Sequence, residues 1–277
     1  SVMWEKLANI DRRVIYVLMI VVVALALLNP IGMAIVPSEE TKRAYDFIES
    51  LPSGSVIYLG MDFSAGGIPE LMPTIQALIR QGFRKDLRFI AGGMWVMAGD
   101  MADTGFAIVE EEFPDKQYGV DWVNLGYKPG GEVLLQKMLV SFYDACAGVD
   151  HYGNNLNDLP LINEVKTIKD VDAIFIFVTG TPGEREYIRH VTSPYKIPFL
   201  VSCVSVSTPE MMPLIQSGQI VAGVLGMKGA AEYEVLVEHP GTATAGMDAQ
   251  SFSHALIIIF IILGNLGYIF TRKEEEK

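Results

Sequence analysis

Residues 14–36 and 252–270 run without a charged side chain, and between them short apolar runs alternate with longer stretches that repeat apolar residues every three or four positions. About 20 apolar residues, rising ~1.5 Å each, cross the hydrocarbon of a bilayer, so both ends predict a transmembrane helix. The first span holds one polar side chain, Asn29, and the second holds Ser253, His254 and Asn265. The Asn29-Pro30 pair either bends the first helix as a hinge or falls among its final turns at the headgroups. A run this long, with no A-x-A site behind it, reads as a retained anchor and not as a cleaved signal peptide.

Past Pro37, the Ser38-Glu39-Glu40 sequence predicts a capped helix reaching to about Leu51. Strand-length apolar runs then fall at 55–61, 87–91, 118–125, 173–178 and 199–204, with a sixth at 220–224. Ile68, Leu71, Met72, Ile75, Leu78 and Ile79 recur at helical spacing after the first. Helices are expected at 94–112, at 132–147, up to about His190, up to about Gln216, and at 228–238, with an irregular section at 148–161. Strands that are apolar on both faces and alternate with helices mean a mostly parallel sheet covered on both sides. The expected fold is therefore α/β, a Rossmann-like doubly wound sheet of five or six strands, flanked by the two spans. The chain divides into a tail at 1–13, a span at 14–36, a domain at 37–251, a span at 252–270 and a tail at 271–277. Trp4, in the amphipathic lead, reads as an interfacial anchor, and the Glu274-Glu275-Glu276 run as a solvated face.

Charge adds orientation and excludes partners. Six basic residues flank the spans on their outer sides (Lys6, Arg12, Arg13, Arg272, Lys273 and Lys277), against Lys42 and Arg43 just inside. That bias predicts a two-pass protein of the cell membrane with cytoplasmic termini and an extracytoplasmic domain. No permissive N-x-S/T sequon occurs in the chain, so a prokaryotic source is the simpler assumption. The middle holds 15 of the 21 basic and 28 of the 33 acidic residues, a formal −13, which argues against nucleic acid and anionic lipid as its partners. Cys146 and Cys203 sit in a helical pattern and a strand, the setting of inert core thiols.

Loops that follow parallel strands line one edge of the sheet, where ligands of such folds sit. Those here contain Asp62, Ser64, Gly66 and Gly67; Lys128 and Gly130; Thr181 and Gly183; and Ser205 with Ser207. Thr181 and Glu184 have the spacing of a capping box, Thr208-Pro209 starts a helix, and helix N-termini favour an anion. The same residues also serve as ordinary turns and caps. Asp62-Phe63-Ser64-Ala65-Gly66 has the serine and last glycine of a nucleophile elbow but lacks the first glycine. Of four histidines only His151 lies in an irregular loop, so Ser64 with His151 is the one catalytic pairing left by elimination. No P-loop, G-x-G-x-x-G, H-E-x-x-H or C-x-x-C occurs, and no metal or cofactor is expected.

Small residues near the end of the domain, from Gly223 to Ala231, would let another backbone approach, and Gly264, Asn265 and Gly267 mark a contact face on the second span. Asn29 is the partner for Asn265 within the chain, but the two differ in depth by roughly 9 Å at 1.5 Å per residue, which makes a neighbouring subunit at least as good a partner. Two functions follow. The first is a non-enzymatic subunit of a larger membrane assembly, bound to the bilayer and packed against copies of itself or other membrane subunits. The alternative is a membrane-tethered receptor or enzyme, a hydrolase if any, that binds a small anionic ligand at the C-terminal edge of the sheet.

Overall fold

A computed structural model describes residues 11–29, 31–32 and 34–275. Trp4 and its amphipathic lead, Pro30, and the last two residues of the tail lie outside the described residues. The chain forms two compact units, one of Val36–Ala243 and one made of the described parts of Ser1–Ile35 and Thr244–Lys277.

The larger unit is built on six parallel strands: β1 (Val56–Asp62), β2 (Arg88–Gly93), β3 (Trp122–Tyr127), β4 (Ala173–Val178), β5 (Phe199–Cys203) and β6 (Ala222–Leu225). Their order across the sheet is β3-β2-β1-β4-β5-β6, which reverses direction between β1 and β4. Every residue of β1 and β4 is buried, because both faces of these central strands are covered.

Alternation along β1 assigns the two faces. Ile57, Leu59 and Met61 join Phe89, Phe175 and Phe177 in one core, with Val56, Tyr58, Ile90, Ile174 and Ile176 in the other. The first face is covered by α2 (Glu39–Ser50), α3 (Ile68–Arg84), α4 (Ala98–Glu112) and α8 (Gly226–Leu236), through residues such as Ile48, Leu78, Phe106 and Tyr233. The second is covered by α5 (Glu132–Met138), α6 (Glu184–Tyr187) and α7 (Thr208–Gln216), through Leu135, Tyr187 and Met211, together with the 142–165 segment. Burial of each such side chain contributes about 1.5–3 kcal/mol.

Element boundaries move where polar groups intervene. Helix α4 begins at Ala98 and not at 94: residues 94–97 form a bend and turn, with the Met94 amide donating to Asp62 Oδ1. The expected 132–147 helix breaks after α5, and Ser141 caps a separate turn by accepting from Asp144 N. Strand β3 starts at Trp122, four residues later than the pattern suggested, because Gly119 at φ +83° turns the chain back and donates to Trp122 O. The capping box lies two residues beyond the expected place: Gly183 is the N-cap and Glu186, not Glu184, closes on its amide.

Both ends of this unit are fastened to α8 by buried carboxylates. Glu232 accepts from Ser38 Oγ and Thr41 Oγ1, each at 2.7 Å, and holds the start of α2. Glu234 accepts from the amides of Gly241 and Ala243 at 2.9 and 3.1 Å. Those amides open α9 (Thr242–Glu275), where they have no partner within the helix.

Helix α9, which enters the smaller unit at Thr244, contains Thr242–Ile269, 28 residues long and apolar enough to cross a membrane. It starts ten residues before the expected span, because 242–251, assigned to the end of the domain, is already helical. Helix α1 (Arg12–Leu28) is also apolar, but its 17 residues give roughly 26 Å against a hydrocarbon core of ~30 Å. It ends at Leu28 with Asn29 as its C-cap, and the expected helix to Val36 gives way to irregular chain in which Gly32 has φ +67°. Gly32 N donates to Asp248 Oδ2 at 2.8 Å.

Candidate functional site

The C-terminal edge of the sheet carries every loop singled out by sequence, and several of its donors are taken by carboxylates of the chain itself. Asp62, which ends β1, is fully buried. Its Oδ1 accepts from Met94 N at 2.6 Å and its Oδ2 from Tyr187 Oη at 3.0 Å. Burial pushes its carboxyl up to about 7 despite these hydrogen bonds, with the Glu186 charge adding to the shift.

A second carboxylate, Glu70 from the first turn of α3, fills the space beyond β5 and β6. Its Oε2 accepts from Ser205 N at 2.7 Å, Ser205 Oγ at 2.5 Å and Met227 N at 3.0 Å. Gly226, at φ +66°, permits this convergence, since a Cβ there would overlap Ser205 Oγ. Glu70 thus occupies the N-terminus of α8, the kind of place that takes an anion. Beyond β4, Glu186 takes the Gly183 amide at 2.6 Å.

The remaining candidates fall into separate groups. Ser64 and Gly66 are exposed, the Ser64 amide donates to Thr179 Oγ1 at 3.2 Å, and Gly67 is buried against Thr179. Thr181 and Ser207 meet across a cavity of about 120 Å³, together with Glu184, Arg185 and Glu210. Arg185 there is shared between Glu184 at 3.6 Å and Glu210 at 3.7 Å. Burial raises the Glu184 carboxyl above its ordinary value. Lys128 stands at the far side of the sheet, where Nζ donates to Val149 O, and Gly130 with φ +131° turns the chain beside it. Four strand spacings of about 4.8 Å separate the ends of β3 and β5, roughly 19 Å, so Lys128 and Ser205 follow strands well apart along this edge.

The pairing of Ser64 with His151 is not assembled. The His151 ring packs on Gly99 and Gly126 with Nε2 3.5 Å from Asp103 Oδ2 and 4.0 Å from Asp100 Oδ1, and among the described residues no hydrogen bond joins it to Ser64. A general base must lie within hydrogen-bond reach of its nucleophile, directly or through one water. His151 instead belongs to a polar cluster on the β3 edge: its amide donates to Asn124 O, and Asn124 Nδ2 and Tyr152 Oη both donate to Asp103. Cys146 and Cys203 are buried and free, and burial pushes their thiols up to about 11 and 12, which keeps both protonated.

In the smaller unit, Asn265 Nδ2 donates to Ile261 O of its own helix at 2.7 Å, Gly264 faces open space, and Gly267 is buried. Asn29 lines a cleft of about 380 Å³ with Val22, Leu25, Ala26, Ile31 and Phe252.

The residues the sequence did not single out for this edge are Glu70, Glu186, Trp95 and Tyr187. Acids in the first turns after strands were visible, but a favourable helix dipole explains any one of them without a site. Comparison of the chain with protein-family models, curated proteins and solved structures finds no match.

Proposed function

We propose that the chain is a membrane-anchored, non-enzymatic subunit of a larger membrane assembly, a homo-oligomer or a complex with other membrane subunits, in which the Rossmann-like domain supplies packing surface. In this reading α1 is a second span beside α9, both termini are cytoplasmic, and the domain is extracytoplasmic. The observation that carries it is that Glu70, Glu186 and Asp62 already occupy four amides and the Ser205 hydroxyl at the sheet edge, donors that an anion would otherwise use. An edge satisfied from within, with exposed apolar tips at Val96 (75%) and Val206 (87%), suits contact with protein better than capture of a small anion. The formal −13 of residues 37–251 works against an anion in the same direction.

The reading is tested by extracting the protein from its native membrane into nanodiscs and measuring particle mass, with chemical crosslinking before extraction. The expected result is a particle of two or more chains, or one that carries other subunits in fixed ratio. A particle of one chain at every concentration, with no crosslinked neighbour, would remove the proposal.

A further inference from the structure

The strand order reverses between β1 and β4, and in doubly wound sheets the crevice between those two loops is the opening to the C-terminal edge. Here residues 94–97 pass over it. Strands β2 and β4 flank β1 on opposite sides, and Trp95, from the loop after β2, sends Nε1 to Pro182 O after β4 at 2.7 Å. Its indole lies over Gly180, where a Cβ would stand 3.8 Å from the ring. The segment crosses the end of β1 without regular secondary structure and leaves Val96 exposed to solvent.

The root of the segment rests on Asp62. A Cβ at Gly93 would stand 2.9 Å from Asp62 Oδ1, and the next amide, Met94 N, donates to that oxygen. Displacement of the segment would take the Met94 amide away from a carboxyl group that is fully buried. The ionisable groups facing Asp62 are Tyr58 on its own strand and Tyr187 and Glu186 on α6, while the 94–97 segment presents backbone amides.

We propose that residues 94–97 form a movable strap over the crevice between the β1 and β4 loops, with Asp62 as the latch that couples its opening to pH. Closed, the strap holds Asp62 dry and its carboxyl keeps a proton up to about 7. Open, water solvates the carboxylate and the group returns toward its ordinary value. The closed state binds the proton more tightly, so acid holds the strap shut and rising pH favours opening, by about tenfold between pH 6 and pH 8.

The test is hydrogen exchange of the full chain in nanodiscs at pH 6 and pH 8, with each rate divided by its intrinsic chemical rate. Protection of residues 94–97 should fall about tenfold at pH 8 with a midpoint near 7, while the amides of β1 and β4 keep theirs. Asp62→Asn should abolish the pH dependence. Trp95→Phe, which lacks the bond to Pro182 O, should exchange faster at both pH values and keep the dependence. Equal protection at both pH values, a midpoint near 4, or loss of protection in step with β1 and β4 would each overturn the strap in the unmodified protein. Persistence of the pH dependence in Asp62→Asn would overturn the latch.

Discussion

Asp62 is a carboxylic acid at the end of an otherwise apolar strand, and its position makes folding stability depend on pH in an unusual direction. The folded value near 7 lies above the ordinary 3.8, so the folded chain binds more protons than the unfolded one between those two values. Stability therefore falls as pH rises through that window and is level above about 7. At 1.36 kcal/mol per pKa unit the full span amounts to about 4 kcal/mol. Asp62→Asn keeps an oxygen acceptor for Met94 N and removes the titration, so chemical denaturation at pH 5 and pH 8 should give a much smaller difference than in the unmodified protein. A variant with an unchanged slope would show that Asp62 is solvated in the folded state. The sequence drew attention to Asp62 as a residue out of place in a nucleophile elbow. What it did not reveal is that the carboxyl is buried and held by Met94 and Tyr187, since these partners lie 32 and 125 residues away.

At the scale of elements, helix α3 donates a side chain that plugs helix α8. Glu70 is the only acidic residue in the first turn of α3, and its carboxylate sits on the first amides of α8 and on Ser205. Removing it leaves those donors facing partly open space, where water or an added anion replaces it. Glu70→Ala should lose about 1–3 kcal/mol, and its melting temperature should rise with millimolar phosphate at constant ionic strength, whereas that of the unmodified protein should not. Equal stabilisation of both would mean that the edge is open to anions and would favour the receptor reading. Local pattern was a good guide to the elements that meet here. Continuous apolar runs located six strands, and the spacing of Leu71, Ile75 and Leu78 located the buried face of α3. Which carboxylate meets which amide was not legible, because Glu70 and Met227 are brought together only by the order of the sheet. The same applies to the break after α5, where Phe142 N donates to Lys166 O and Ile168 N to Met138 O.

For the whole molecule the open contrast is between one membrane span and two. Helix α9 has the length and composition to cross by itself. Helix α1 falls short of the ~30 Å hydrocarbon core by about 4 Å, a mismatch that a bilayer absorbs by local thinning at a fraction of a kcal/mol per Å. Its apolar character opposes a place in water: from Val14 to Leu28 no side chain is charged, and Ile20, Leu25 and Leu28 are each more than half exposed. Burying such faces in lipid stabilises each by about 1.5–3 kcal/mol, well beyond the mismatch. The two-span arrangement predicts that a chain ending at Ala243 still resists alkaline carbonate extraction and enters only detergent. It also predicts that a reporter fused to the C-terminus of the full chain lies on the same side of the membrane as one fused to the N-terminus. Release of the shortened chain by carbonate would leave α9 as the sole anchor, put the two termini on opposite sides, and deprive the proposed assembly of half its intramembrane surface.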